Sequence, residues 1–154
     1  MSNASRIIDI EEMRTQFIGK PFHLLVEAHI KRGKSKTNLW VTGQGTRELL
    51  TPSTRNLAEE FINRWIEPSY NPEFWQTDTS VIFSSIIEDA RAVLVSAGAA
   101  TDDDTLFYMF QLIVLNYAYC AIDQPSMREF MKKPPHPELT QKVVKPFWRK
   151  LFRR

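Results

Sequence analysis

Three side chains near the N-terminus, His23, Glu27 and His29, are of the types that bind transition metals. On a strand all three would lie on one face, whereas a helix would place His23 beside Glu27 and turn His29 away. That face is the polar face of an amphipathic segment, and the chain contains no Glu-x-x-His pair of the kind that builds di-iron bundles. We therefore expect these side chains to be solvated, and we predict no metal ligands.

Residues 28–35 approximate the glycine-rich loop that binds nucleotide phosphates, with Ala28 where the first glycine usually stands. Such a loop follows a strand and precedes a helix, whose N-terminal amides hold the phosphates. Residues 37–45 are rich in β-branched residues and glycine, which disfavours a helix, and the later chain lacks the alternating strands of a parallel sheet. We interpret the segment as a solvated basic turn and predict no cofactor.

The remaining reactive groups also fit structural roles. Cys120 is surrounded in sequence by apolar and aromatic residues, with nothing nearby to lower its pKa, so we expect a buried, unreactive thiol. Glu88 and Asp89 fit a helix face, and the acidic run 102–104 fits a helix N-terminus, where carboxylates complement the helix dipole. We predict no catalytic residues. A single cysteine also excludes an internal disulfide and favours a reducing compartment.

The sequence ends in a basic segment that is rich in aromatic residues. Residues 1–131 hold 12 Lys and Arg against 17 Asp and Glu, whereas residues 132–154 hold 8 against 1. The apolar residues of the segment form two adjacent i, i+4 rows, Val143, Phe147 and Leu151 beside Val144, Trp148 and Phe152. This pattern predicts a basic amphipathic helix, and the prolines at 134, 135 and 137 predict a stiff hinge before it.

We predict that this segment contacts a partner. The predicted partner-binding residues of the segment are Lys142, Lys145, Phe147, Trp148, Arg149, Lys150, Leu151, Phe152, Arg153 and Arg154. A second basic cluster, the turn formed by Lys31, Arg32, Lys34 and Lys36, would extend the same positive surface. The alternative is that the apolar rows dock on the core of the domain itself and only the charges are solvated.

Residues 106–122 form an apolar run that is interrupted only by Gln111 and Asn116. Acidic residues precede the run and basic residues follow it, which would suit a membrane-spanning helix with its C-terminal end in the cytoplasm. The run has 17 residues, however, and a span typically needs about 20. We therefore predict a central helix buried by the other helices.

The periodicity of the chain predicts a mainly α fold, a compact bundle of four to six helices. Asp9 is placed to cap a first helix, Thr51 and Pro52 to begin another, and Thr101 to begin the apolar helix, with further helices over 79–97 and from Pro125. Residues 22–31 alternate apolar and polar positions except at Leu25, which predicts a strand. Residues 32–36 would form a turn and residues 38–42 a second strand, so a small β-hairpin is predicted, with an α+β fold as the alternative. A helix over residues 21–31 is a further alternative.

These features divide the chain into a helical globular domain, residues 1–133, and a hinged basic segment, residues 134–154. We expect a non-catalytic adaptor or accessory protein that lies in the cytoplasm, with a peripheral position on a membrane as the alternative. Its basic helix would dock on an acidic protein, a larger assembly or an anionic membrane surface. A nucleic-acid-binding regulator that stacks bases on Trp148 or Trp40 is an alternative, as is a small enzyme whose site is assembled from scattered residues.

Overall fold

A computed structural model describes residues 6–134 of the chain. This range is mainly α, as predicted, and it contains no β-strand beyond an isolated bridge between Pro21 and Asp78. The helices are α1 (Ile10–Gln16), α2 (Phe22–Gly33), α3 (Lys36–Glu48), α4 (Pro52–Arg64), a 3-10 helix (Glu67–Tyr70), α5 (Pro72–Gln76), α6 (Thr79–Ser96), α7 (Asp103–Ala121) and α8 (Pro125–Lys132).

The predicted β-hairpin over residues 22–42 is wrong, and the α+β alternative is wrong with it, because this region forms α2 and α3. The buried positions of α2 are spaced by three and four residues, from Phe22 through Leu25 and His29 to Gly33. Leu25, which broke the alternation, is 1% exposed, whereas the neighbouring Leu24 is 38% exposed. An apolar run this short matches both periods, and packing on α7 selected the helical one.

The connection between α2 and α3 is a tight turn. Lys34 adopts a positive φ of 73°, and the Ser35 hydroxyl caps α3 by accepting a hydrogen bond from the Asn38 amide at 3.1 Å. Gly33 allows the two helices to approach closely, because a Cβ atom there would lie only 2.6 Å from Leu39 Cδ2. The two helices in place of the hairpin, together with the short α5, raise the number of α-helices in the described range to eight.

Most of the predicted helix starts are confirmed. Asp9 caps α1, and Thr51 caps α4 with Pro52 in the first helical position. The predicted cap of α7 is wrong by one residue: Asp102, not Thr101, accepts the Thr105 amide at 3.1 Å. A carboxylate satisfies that exposed amide as well as a hydroxyl does and also carries a charge that favours the helix N-terminus.

The apolar run forms the central helix, as predicted. α7 packs against α2, α3, α4 and α6, and almost every residue from Leu106 to Ala118 is buried. None of the helices within residues 6–134 is long and apolar enough to cross a membrane. On one side of α7 lies an aromatic cluster, which we define as Phe22, Phe74, Trp75 and Tyr117; the ring centroids of Trp75 and Tyr117 are 5.0 Å apart.

Candidate functional site

The structure separates the three side chains that could have bound a metal. His29 is 3% exposed, so its predicted solvation is wrong: the residue belongs to the core face of α2. Its Nδ1 lies 2.8 Å from the Leu25 carbonyl oxygen. Burial removes water that would stabilise the charged ring and lowers the pKa of His29 to about 4. His29 is therefore neutral at physiological pH.

The Glu27 carboxylate also has a structural partner. It accepts hydrogen bonds from the Arg128 guanidinium, with Nε 3.4 Å from Oε2 and Nη2 in close contact with Oε1. This pair joins α2 to α8. His23 is half-buried beside the pair, and burial lowers its pKa. Within residues 6–134, no group of three His, Cys, Asp or Glu side chains is arranged to hold a metal ion.

All four cations of the basic turn are exposed, and two of them have an acidic side chain nearby. Arg32 Nη1 lies 2.5 Å from Glu12 Oε2, and Lys36 Nζ lies 3.3 Å from Asp123 Oδ2 and 4.9 Å from the centroid of the Tyr119 ring. Lys31 and Lys34 are exposed. Two of the four predicted contact residues thus have acidic neighbours within the domain.

The sequence resembling a phosphate loop lies in this turn. A helix does follow it, against our expectation, but a helix and not a strand precedes it. The Ser35 hydroxyl is engaged in capping α3, so the local geometry is that of a helix-helix turn.

The cysteine and the acidic pairs have the following surroundings. Cys120 is half-buried, and burial raises the pKa of its thiol. Asp102 caps α7, while the Asp89 carboxylate accepts hydrogen bonds from the Arg64 guanidinium and from Trp65 Nε1 at 2.9 Å. The predicted partner-binding residues from Lys142 to Arg154 lie outside the described residues.

One concave site in the described range was not predicted from the sequence. It is a half-open groove of about 480 Å³ between α3, α4 and α7, which we call the α3–α7 groove. Its lining residues are Leu39, Trp40, Gly43, Gln44, Arg47, Glu59, Leu112, Leu115, Asn116 and Tyr119. This volume falls within the range of small-molecule sites, about 300–1,000 Å³.

The groove has an apolar floor and polar walls. Leu39 and Leu112 are buried in the floor, while the Trp40 indole stands at the edge and is 55% exposed. Arg47 Nη2 lies 3.0 Å from Glu59 Oε2, so their charges largely cancel. The groove can therefore present aromatic surface and polar groups to a ligand without a strong net charge.

Two carboxamides line the groove, that of Gln44 from α3 and that of Asn116 from α7. Both are half-buried, and neither side chain forms a hydrogen bond within the part of the chain that the structure describes. Each offers one acceptor oxygen and two donor hydrogens. The sequence did contain a signal for this site: Gly43 and Gly45 lie in the interior of α3, where glycine is unfavourable.

Comparisons with protein-family models, with curated proteins and with solved structures found no match to this chain.

Proposed function

We propose that this protein is a non-catalytic adaptor whose basic C-terminal segment docks on an acidic protein partner. The observation that carries the proposal is the separation of charge between the helical body and the end of the chain. Residues 6–131 contain five more acidic than basic residues, whereas residues 132–154 contain seven more basic than acidic ones.

The ion pairs of the body support this separation. Five of its cations lie within 4 Å of a carboxylate: Arg32, Lys36, Arg47, Arg64 and Arg128. Because these five charges are compensated locally and the body carries five more acidic than basic residues, the body is a poor binding surface for an anion. The cationic excess begins at Lys132 and Lys133, at the end of α8.

An acidic protein is favoured over a membrane surface or a nucleic acid by the charge of the body. Membranes and nucleic acids present extended arrays of negative charge, which would repel an acidic body held close to them. An acidic patch on a protein is local. The basic segment can therefore bind it while the acidic body lies too far from the patch to be strongly repelled. Association would be steered electrostatically and would weaken with added salt.

Deletion of residues 139–154 tests the proposal. We expect the melting temperature to change by less than about 2 °C, because the described body has its own core. Binding to a poly-glutamate chain, measured by fluorescence anisotropy, should be lost. Stronger binding of the full chain to vesicles containing phosphatidylserine, or to single-stranded DNA, would favour the membrane or nucleic-acid alternative.

Substitutions of cationic and of aromatic residues separate the electrostatic part of the contact from its apolar part. Replacing Arg149, Lys150, Arg153 and Arg154 by Gln should weaken binding and flatten its salt dependence. Trp148→Ala should weaken binding without changing that dependence. As a matched control, Lys31→Gln with Lys34→Gln removes two exposed cations from the body and should have a smaller effect. A large loss of stability on deletion would contradict the proposal, because the segment would then be part of the core.

A further inference from the structure

Two glycines of neighbouring helices differ in what surrounds them. At Gly33 a Cβ atom would lie 2.6 Å from Leu39 Cδ2, so helix packing requires glycine there. At Gly43, in the interior of α3, a Cβ atom would meet only Arg47 Nη1, at 3.7 Å. That distance is ordinary van der Waals contact. Packing within the described domain therefore does not account for glycine at position 43.

Glycine at position 43 has a cost and a consequence. In a helix interior, glycine is less stable than alanine by about 1 kcal/mol. The space that a side chain would occupy belongs to the α3–α7 groove, since Gly43 lines it. The helix thus carries a destabilising residue at the position where a larger one would narrow the groove.

The lining of the groove indicates what kind of molecule would fit. Trp40 offers an exposed aromatic face, and Tyr119, whose ring is also contacted by Lys36, adds aromatic surface, which together favour a planar, unsaturated ligand. The carboxamides of Gln44 and Asn116, which form no hydrogen bond among the described residues, both line the groove and offer donors and acceptors of the kind that the edge of a nitrogen heterocycle requires. Because the Arg47 and Glu59 charges lie 3.0 Å apart and offset each other, the groove has little attraction for a strongly charged group.

We propose that the α3–α7 groove binds a neutral, planar heteroaromatic molecule of the nucleobase or nucleoside class. The ring stacks against the Trp40 indole over the floor at Leu39 and Leu112, and the polar edge of the ligand is bound by Gln44 and Asn116. This proposal uses only residues of the body, so its failure leaves the proposal for the basic C-terminal segment intact.

The first test is a titration of the full chain with adenosine, guanosine, cytidine and uridine, monitored by ¹H–¹⁵N NMR and isothermal titration calorimetry. We expect at least one nucleoside to produce saturable shifts of the Trp40 Nε1–H signal and of the Gln44 and Asn116 side-chain amides. No saturable shift with any nucleoside would overturn the proposal. The proposal would also be overturned if naphthalene, which has no polar edge, bound as tightly as the best nucleoside.

Phosphorylation of the ligand tests the inference about charge. The 5′-monophosphate of the best nucleoside should bind no more tightly than the nucleoside itself, because the lining holds no uncompensated cation. A gain of about tenfold or more for the monophosphate would show that the groove recognises phosphate, and the neutral assignment would be wrong.

Variants of the lining test the location. Gln44→Leu and Asn116→Leu keep the approximate shape but remove the polar groups, and each should weaken binding about tenfold. Gly43→Leu should abolish binding by filling the groove. Gly43→Ala should raise the melting temperature while weakening binding, whereas the matched control Ser84→Ala, on an exposed position of α6, should raise the melting temperature alone. Unchanged affinity in the folded Gly43→Ala and Asn116→Leu variants would overturn the assignment of the site.

Discussion

On one side of α7 the aromatic cluster fills the space between helices, and on the other side the α3–α7 groove leaves it open. Phe22 and Trp75 are fully buried in the cluster, with ring centroids 5.7 Å apart, and the Trp75 Nε1–H donates to the Ser69 carbonyl at 2.9 Å. Trp40, which has the same side chain as Trp75, is 55% exposed at the edge of the groove. The domain thus buries one indole completely and leaves another in solvent.

The difference follows from what lies opposite each side of α7. Toward the cluster, α2 and α5 present Phe22, Phe74 and Trp75 to Tyr117 of α7. Toward the groove, α3 presents Gly43 and a half-buried Gln44, which are too small or too polar to close the gap. A well-packed core beside an open groove separates residues that stabilise the fold from residues available for binding.

The largest expected effect is on stability, and it comes from comparing an aromatic residue of the cluster with one at the edge of the groove. Phe22→Ala should lower the free energy of unfolding by about 4 kcal/mol, because it removes a fully buried ring and leaves a cavity. Trp40→Ala should change it by less than about 0.5 kcal/mol. Urea denaturation followed by circular dichroism gives both values. Similar losses for the two variants would mean that Trp40 is part of the core.

The second prediction concerns pH and the buried His29. Its pKa is about 4 in the folded chain and ordinarily 6.5, so the unfolded chain binds a proton that the folded chain excludes. The contribution of neutral His29 to the free energy of unfolding is therefore fully present above pH 6.5, and it is lost as the pH decreases from 6.5 toward 4. The difference between the two pKa values corresponds to about 3 kcal/mol.

Urea denaturation at a series of pH values measures this dependence. In a His29→Leu variant the fall of stability between pH 6.5 and about 4 should be largely removed, because leucine does not titrate. A His23→Gln variant is the matched control on the same helix, and it should keep most of the dependence, since His23 is only half-buried. An unchanged pH dependence in His29→Leu would show that burial of neutral His29 is not its cause.

The smallest expected effect on stability comes from comparing two ion pairs, one joining α2 to α8 and one at the groove. The side chain of Glu27 is 12% exposed where it binds Arg128, whereas that of Glu59 is 70% exposed where it binds Arg47. Glu27→Gln should lower stability by about 2 kcal/mol, and Glu59→Gln by less than about 1 kcal/mol, because solvent screens exposed pairs. Chemical denaturation of both variants at low and high salt provides the measurement. A larger loss for Glu59→Gln would contradict the contrast between the two sides.

Several elements of the fold could be predicted because their signals are local. Asp9 and the Thr51-Pro52 pair mark helix starts through contacts within one turn, so no knowledge of the rest of the chain is needed. The length and apolarity of residues 106–122 likewise identify the central helix, since a stretch with so few polar residues has to be buried. The charge separation between the body and the C-terminal segment is a property of the sequence alone.

Tertiary structure decided the rest, because the evidence lies in residues distant along the chain. The apolar positions of residues 22–30 fit two periodicities, and the choice between them depended on the surface of α7 against which they pack. The same packing buried His29, which the strand interpretation had placed in solvent. The α3–α7 groove brings Gln44 together with Asn116, and Gly43 with Leu112, only because α3 crosses α7. A local pattern specifies the conformation of its own turn of helix, but a cavity depends on which faces meet across the fold, and that is set by the packing of the whole domain.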